Sequence, residues 1–221
     1  VYNNPPFAII SLNKSGVIKP KDLEGRILGA PATDGAYAQW KAFVAANNIK
    51  ATEVTIENVG FPVREPMLAA GEVDAITGFS FSSFLNLKSK GVKEEDINVM
   101  LMSDYGLELY GNTVIVNPNF AAENPKLVKG FVRAIIRGWM DTIADPNSAI
   151  DYLKRNKIAR RNVELERLEM AIRDNVITAE VEERGFGDVE GQRLSESINQ
   201  VGITYDFSNK PTAASVFTSE F

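Results

Sequence analysis

The sequence predicts an α/β chain in which short parallel strands alternate with amphipathic helices, and three observations carry that prediction. First, Asp22-Leu23-Glu24-Gly25-Arg26-Ile27-Leu28-Gly29-Ala30-Pro31-Ala32-Thr33-Asp34-Gly35-Ala36-Tyr37 runs from a polar turn through an apolar strand into small residues. A helix bearing Ala36, Trp40, Phe43 and Val44 follows at once. Second, Gly71-Glu72-Val73-Asp74-Ala75-Ile76-Thr77-Gly78-Phe79 is another short apolar strand ending in small residues, preceded by a helical run through Met67, Leu68 and Ala70. Third, from Asn117 onward the pattern becomes helix after helix. In open α/β sheets ligands sit beyond the carboxyl ends of parallel strands, where backbone N–H groups and helix starts converge. The two strand ends are therefore the candidate site.

Composition narrows the function. With 221 residues, 44% hydrophobic and 24% charged, the chain is globular and long enough for one large domain or two small ones. A net charge of −5 argues against a nucleic-acid partner, and the basic pairs Lys154-Arg155 and Arg160-Arg161 read as a solvated helix end. There is no cysteine and no histidine, which removes Cys/His zinc sites, Cys-His and Ser-His-Asp nucleophiles and the usual general base near neutral pH. No Walker or dinucleotide glycine motif occurs, so no cofactor is expected. Glu94-Glu95-Asp96 reads as a solvated loop rather than a metal site, and Arg64-Glu65 as surface charge. No apolar run approaches the ~18 residues that would span a bilayer. The sequence opens at Val1 without a basic or apolar leader, so any targeting segment has been removed or lies outside these residues.

Taken in order, Phe7 to Leu12 reads as a strand after Pro5-Pro6. Asn13 to Asp22 is a connector rich in turn residues. After the Trp40 helix, Asn47-Asn48 stop it, and Val54 and Ile56 alternate with polar neighbours as a half-buried strand. The Met67 helix, the Val73 strand and a helix through Phe81, Phe84, Leu85 and Leu87 follow, the last ended by Gly91. Ile97 to Met102 is a further strand, broken by Ser103 to Gly106, and Leu107 to Val116 returns as an extended run. Asn124 as N-cap with Pro125 opens the longest helix, whose face is Val128, Phe131, Val132, Ile135, Trp139 and Ile143. Asp145-Pro146 opens a helix with Ile150 and Leu153 inward; Asn162 is expected to cap one carrying Leu165, Leu168 and Ile172. Leu194, Ile198 and Val201 mark the last clear helix. These later helices have wide apolar faces but almost no strands left to cover.

The candidate site residues come from the strand ends. Thr33, Asp34, Gly35 and Ala36 stand where a helix begins, and their N–H groups could hold a ligand oxygen. The alternative is that Thr33 or Asp34 serves simply as an N-cap. An acidic Asp34 there also disfavours a simple sulfonate or nitrate unless it points away. Tyr37 is the residue of that helix that can reach the site, whereas Trp40 reads as core. Thr77, Gly78, Phe79 and Ser80 end the second strand and offer hydroxyls and an aromatic wall, the alternative being a turn with packed rings. Tyr110 and Asn112 on the returning run, and Asn4 on the first extended segment, complete the set, with ordinary strand pairing as the alternative. No catalytic residue is assigned.

The order Asp22-Leu23-Glu24-Gly25, Gly71-Glu72-Val73-Asp74-Ala75, Tyr110-Gly111-Asn112, Asn124-Pro125 with Phe131-Val132-Arg133-Ala134, and Gly187-Asp188-Val189 with Arg193-Leu194 resembles the NMT1/THI5-like solute-binding proteins of ABC importers. These include relatives of sulfonate, taurine, nitrate and thiamine-precursor receptors. The resemblance implies a type II periplasmic-binding-protein fold, two lobes joined by two crossing strands with a small organic solute between them. Residues 13–111 would form one lobe, and 1–12 with 112–221 an incomplete remainder of the other, because family members begin with a βα segment not found here. It implies an ABC permease as partner, a periplasmic or other extracytoplasmic location and no enzyme activity; should the second lobe be incomplete, the apolar face from Val128 to Ile143 would need a second copy of the chain to cover it, giving a dimer. Two alternatives stay open. One is the fungal pyrimidine synthases, whose histidine and Cys-rich segment this chain lacks. The other is a LysR-type effector domain, which needs an attached DNA-binding helix-turn-helix.

Overall fold

The computed structural model describes residues 2–155 and 160–221. The chain forms two compact units, one of Pro6–Leu109 with Ser195–Lys210 and the other of Val1–Pro5, Tyr110–Leu194 and Pro211–Phe221. The side chains of Lys154 and Arg155, half of the expected basic helix end, lie outside the described residues.

The first unit is built on a five-stranded sheet. Its strands are β1 (Phe7–Leu12), β2 (Ile27–Ala30), β3 (Thr55–Asn58), β4 (Ala75–Phe79) and β5 (Ile97–Leu101), arranged β3-β2-β4-β1-β5. β2 runs parallel to β3 and β4, whereas β1 is antiparallel to β4 and β5. Helices α1 (Gly35–Ala38), α2 (Trp40–Ala46), α3 (Arg64–Ala70) and α4 (Ser80–Ser89) connect them. Strand geometry sends alternate residues of β1 to opposite faces, so Ile9 joins Leu28, Trp40, Phe43 and Met100 on one side. Ala8, Ile10 and Leu12 join Leu68, Val73, Ile76 and Leu87 on the other. A run such as Phe7 to Leu12, apolar but for the buried Ser11 whose hydroxyl donates to Val17 O, is what a strand covered on both faces requires.

Relative to the expected lobe 13–111, this unit also holds β1 and residues 195–210. β1 belongs here because its ladder partners are β4 and β5. The expected extended run from Leu107 forms no ladder, although Leu107 and Leu109 are buried. A side-chain amide replaces the missing strand: Gln200 Nε2 donates to Gly106 O at 2.9 Å, and Gln200 Oε1 accepts from Glu108 N–H at 2.9 Å. Ser197 Oγ donates to Glu108 O as well. Buried backbone groups must find partners, and here they find them on a helix.

The second unit contains α5 (Pro118–Glu123), α6 (Pro125–Ala144), α7 (Pro146–Asp151), α8 (Arg161–Ala171), a π-turn (Ile172–Val176), α9 (Ala179–Arg184), the first turn of α10 (Gly191–Thr204) and α11 (Ala213–Val216). No strand occurs among its described residues. Asn124 stands at the N-cap of α6 and Pro125 opens it as expected, but the Asn124 side chain makes no capping bond; its Nδ2 donates to Phe120 O in α5 instead. Arg160, not Asn162, stands at the cap of α8, two residues earlier than the sequence suggests. The apolar face of α6 is only partly covered: Val128 is buried, while Phe131 is 56% exposed and Leu127 61%. Trp139 meets Tyr2 edge to face at 6.0 Å between centroids. No helix among the described residues is long and apolar enough to cross a membrane.

Candidate functional site

In the first unit the carboxyl ends of β2 and β4 lie side by side, because Leu28 and Gly29 pair in parallel with Ala75 and Ile76. The two turns beyond them consequently meet. Thr77 Oγ1 donates to Asp34 Oδ2 at 2.6 Å, and both residues are buried. Asp34 is also the N-cap of α1, with Oδ1 accepting from Ala36 N–H at 3.4 Å. Thr33 and Gly35 are exposed, Ala36 is buried and Tyr37 is half-buried. Phe79, 39% exposed, packs at 5.8 Å from Phe7 and 6.4 Å from Phe81. Gly35 sits against that ring pair, since a Cβ there would lie 3.3 Å from Phe7 and 3.9 Å from Phe79. Ser80 is buried, and its hydroxyl has no protein partner.

The organising group of this rim escaped the sequence reading. Arg64 and Glu65, expected as surface charge, are buried, at 6% and 3% exposure. Arg64 Nε and Nη2 donate to Glu65 Oε1 at 3.1 and 2.7 Å, and Nη2 also donates to Ser83 Oγ at 3.1 Å. Ser83 Oγ in turn donates to Glu65 Oε1 at 2.8 Å. Nη1 faces Asp34 Oδ2 at 3.6 Å, an ion pair too long for a hydrogen bond. The ring of the half-exposed Phe61 lies 5.6 Å from the guanidinium carbon. Gly78 makes room for the arrangement: a Cβ there would run into Ser83 Oγ and come within 3.2 Å of Arg64 Cζ. Buried charge persists only when paired and hydrogen-bonded, which is what Glu65, Ser83 and Asp34 supply. A glycine after Thr77 and a serine beside Phe84 in the helix that follows were the signals available in the sequence.

The remaining sequence-predicted residues, Asn4, Tyr110 and Asn112, fall in the second unit, where a different guanidinium gathers the first two. Arg193 Nη1 donates to Asn3 Oδ1 at 2.7 Å and Glu180 Oε2 at 2.6 Å, and Nη2 to Asn4 Oδ1 at 2.7 Å. Its plane lies over the Tyr110 ring, 4.2 Å from the centroid. Tyr110 donates its hydroxyl to Glu180 Oε1 at 2.6 Å and accepts from Glu190 N–H at 2.8 Å. Burial, then the bond to the Glu180 carboxylate, pushes the Tyr110 phenol well above its ordinary range. Burial also works to raise the Glu180 carboxyl, but Tyr110 and Arg193 outweigh it and hold that group below the usual carboxylate range. Asn112 is exposed, and its carbonyl accepts from Tyr2 N–H at 3.1 Å. The Asn4 amide oxygen and the Tyr110 hydroxyl are thus committed inside this unit.

Comparison with known proteins adds the fold and the family. The periplasmic aliphatic sulphonate binding protein SsuA of Escherichia coli superposes with a TM-score of 0.72 at 14% identity, over 96% of this chain and 69% of that one. That likeness shows the type II periplasmic-binding-protein fold. The riboflavin-binding protein RibY of Chloroflexus aurantiacus is 26% identical across the whole chain, which spans 63% of that relative's length. A formylaminopyrimidine-binding protein of Halalkalibacterium halodurans is 25% identical over 71% of the chain and 47% of its own length. The ordered motifs from Asp22-Leu23-Glu24-Gly25 to Phe131-Val132-Arg133-Ala134 fall within residues 1–149, which a family model described as NMT1/THI5 like matches, and the chain belongs to the NMT1/THI5-like family.

Proposed function

We propose that this chain is the extracytoplasmic solute-binding component of an ABC importer, and that the rim beyond β2 and β4 recognises part of a small, planar organic solute. The observation that carries this reading is the fusion of the two strand-end turns through Thr77 and Asp34, with the exposed face of Phe79 beside them. Parallel-strand ends of this kind are where open α/β sheets receive ligands. The Thr77 hydroxyl is spent on Asp34, and the exposed ring of Phe79 is an apolar surface that the rim offers a solute. The names of the two relatives, which bind riboflavin and a formylaminopyrimidine, support a planar heterocycle. The partner is an ABC permease, and the solute is handed on unchanged, without catalysis.

Titration calorimetry of the chain against riboflavin, a formylaminopyrimidine and propanesulfonate tests this. One-to-one binding of a planar member, recovered chemically intact, is the expected result. Phe79→Ala should weaken it by about tenfold, the loss of one stacked ring. Absence of binding across a wide panel, or turnover of the bound molecule, would overturn the reading.

A further inference from the structure

Building on that solute-binding reading, we propose that Asp34 and Glu65 make this rim a charge filter, admitting uncharged solutes and turning away oxyanions. Arg64 is the guanidinium at the rim, and a desolvated arginine fork is by itself a receptor for sulfonate, phosphate or carboxylate. Here its nitrogens already face partners within the protein. Nε and Nη2 are held by Glu65 and Ser83, and Nη1 faces Asp34. The side chains of Arg64, Asp34 and Glu65 are 8%, 4% and 4% exposed, so water screens them little. Two carboxylates stand against one guanidinium, leaving a net negative charge under the site. An incoming oxyanion must either displace a carboxylate from Arg64 or sit beside that unbalanced charge. An uncharged ring meets neither obstacle and still finds Phe79 and Phe61 exposed.

The test uses the intact chain with riboflavin as the uncharged probe and propanesulfonate as the anionic one. In Asp34→Asn the amide oxygen can still cap α1 while Nδ2 donates to the Thr77 hydroxyl, reversing that bond, and the surplus charge is gone. The ratio of sulfonate to riboflavin affinity should rise by about tenfold or more. Asp34→Glu, which keeps the charge, should stay near the parent ratio, and a merely structural role for Asp34 would not separate these two variants. Glu65→Gln, which retains an acceptor for Arg64 and Ser83, should shift the ratio in the same direction and serves if Asp34→Asn does not fold. An unchanged ratio in the folded charge-removing variants would overturn the filter, as would a parent chain that binds propanesulfonate as tightly as riboflavin. Should the parent bind no uncharged solute while Asp34→Asn acquires sulfonate binding, the solute-class reading fails and the filter stands.

Discussion

Arg64 and Arg193 each gather distant segments around one guanidinium, yet they do so with opposite chemistry. Arg64 is enclosed beyond the strand ends of the five-stranded sheet and is paired with two carboxylates. Arg193 is half-buried, pairs with one carboxylate, and takes its other bonds from neutral amide and carbonyl oxygens and an aromatic ring. A guanidinium with surplus anion around it shapes the electric field that a solute meets. One that is balanced by neutral acceptors acts as a tie between chain segments, here Asn3-Asn4, Tyr110 and the start of α10. The first arrangement depends on burial for its effect, and the second tolerates water.

The comparison can be broken most directly at Glu65. Glu65→Ala leaves Arg64 without its closest partner inside the protein and should cost about 3–5 kcal/mol in urea unfolding. A loss below about 1 kcal/mol would mean that Arg64 reaches solvent and that the contrast with Arg193 is false. Arg193→Ala should cost less, about 2–3 kcal/mol, because the amides it leaves behind can be solvated. A double-mutant cycle with Glu180→Gln should return a coupling between them; additive losses would deny that the tie is a unit.

The acid limb of stability sharpens the same contrast. Glu180 has a lowered carboxyl pKa in the folded chain, so its contribution is in place above the ordinary value of about 4.3 and is lost as pH falls through the lowered value. The stability gap between the parent and Glu180→Gln should therefore close on acidification through and below that range, and a gap constant down to acid unfolding would contradict the assignment. Tyr110→Phe keeps the ring under Arg193 and deletes the hydroxyl, for a loss of about 1 kcal/mol. Smallest of all, Phe131→Ser on the open face of α6 should move stability by less than about 0.5 kcal/mol while reducing hydrophobic-dye binding. A large destabilisation would place Phe131 in a buried contact.

Much of the sheet was legible because its strands are apolar runs bounded by turns. Ile27–Ala30, Ala75–Phe79 and Ile97–Leu101 lie where the pattern puts them, since a strand covered on both faces must be apolar throughout. The meeting of the Asp34 and Thr77 turns also follows from reading both as parallel-strand ends. The run from Leu107 was misread as a strand for an equally physical reason. Two buried leucines announce burial, but the backbone partners came from Gln200, almost a hundred residues away, which no local pattern announces.

Sequence by itself determined the α/β class, the order of strands and helices and the family, because each rests on periodicity, turn chemistry or an ordered series of short motifs. Tertiary structure alone decided that Arg64 and Glu65 are buried, that Ser83 and Asp34 satisfy them, and that Arg193 binds Asn3, Asn4 and Tyr110 into one node. Charged residues are exposed by default, and only the partners that surround them in three dimensions can offset the cost of taking them out of water.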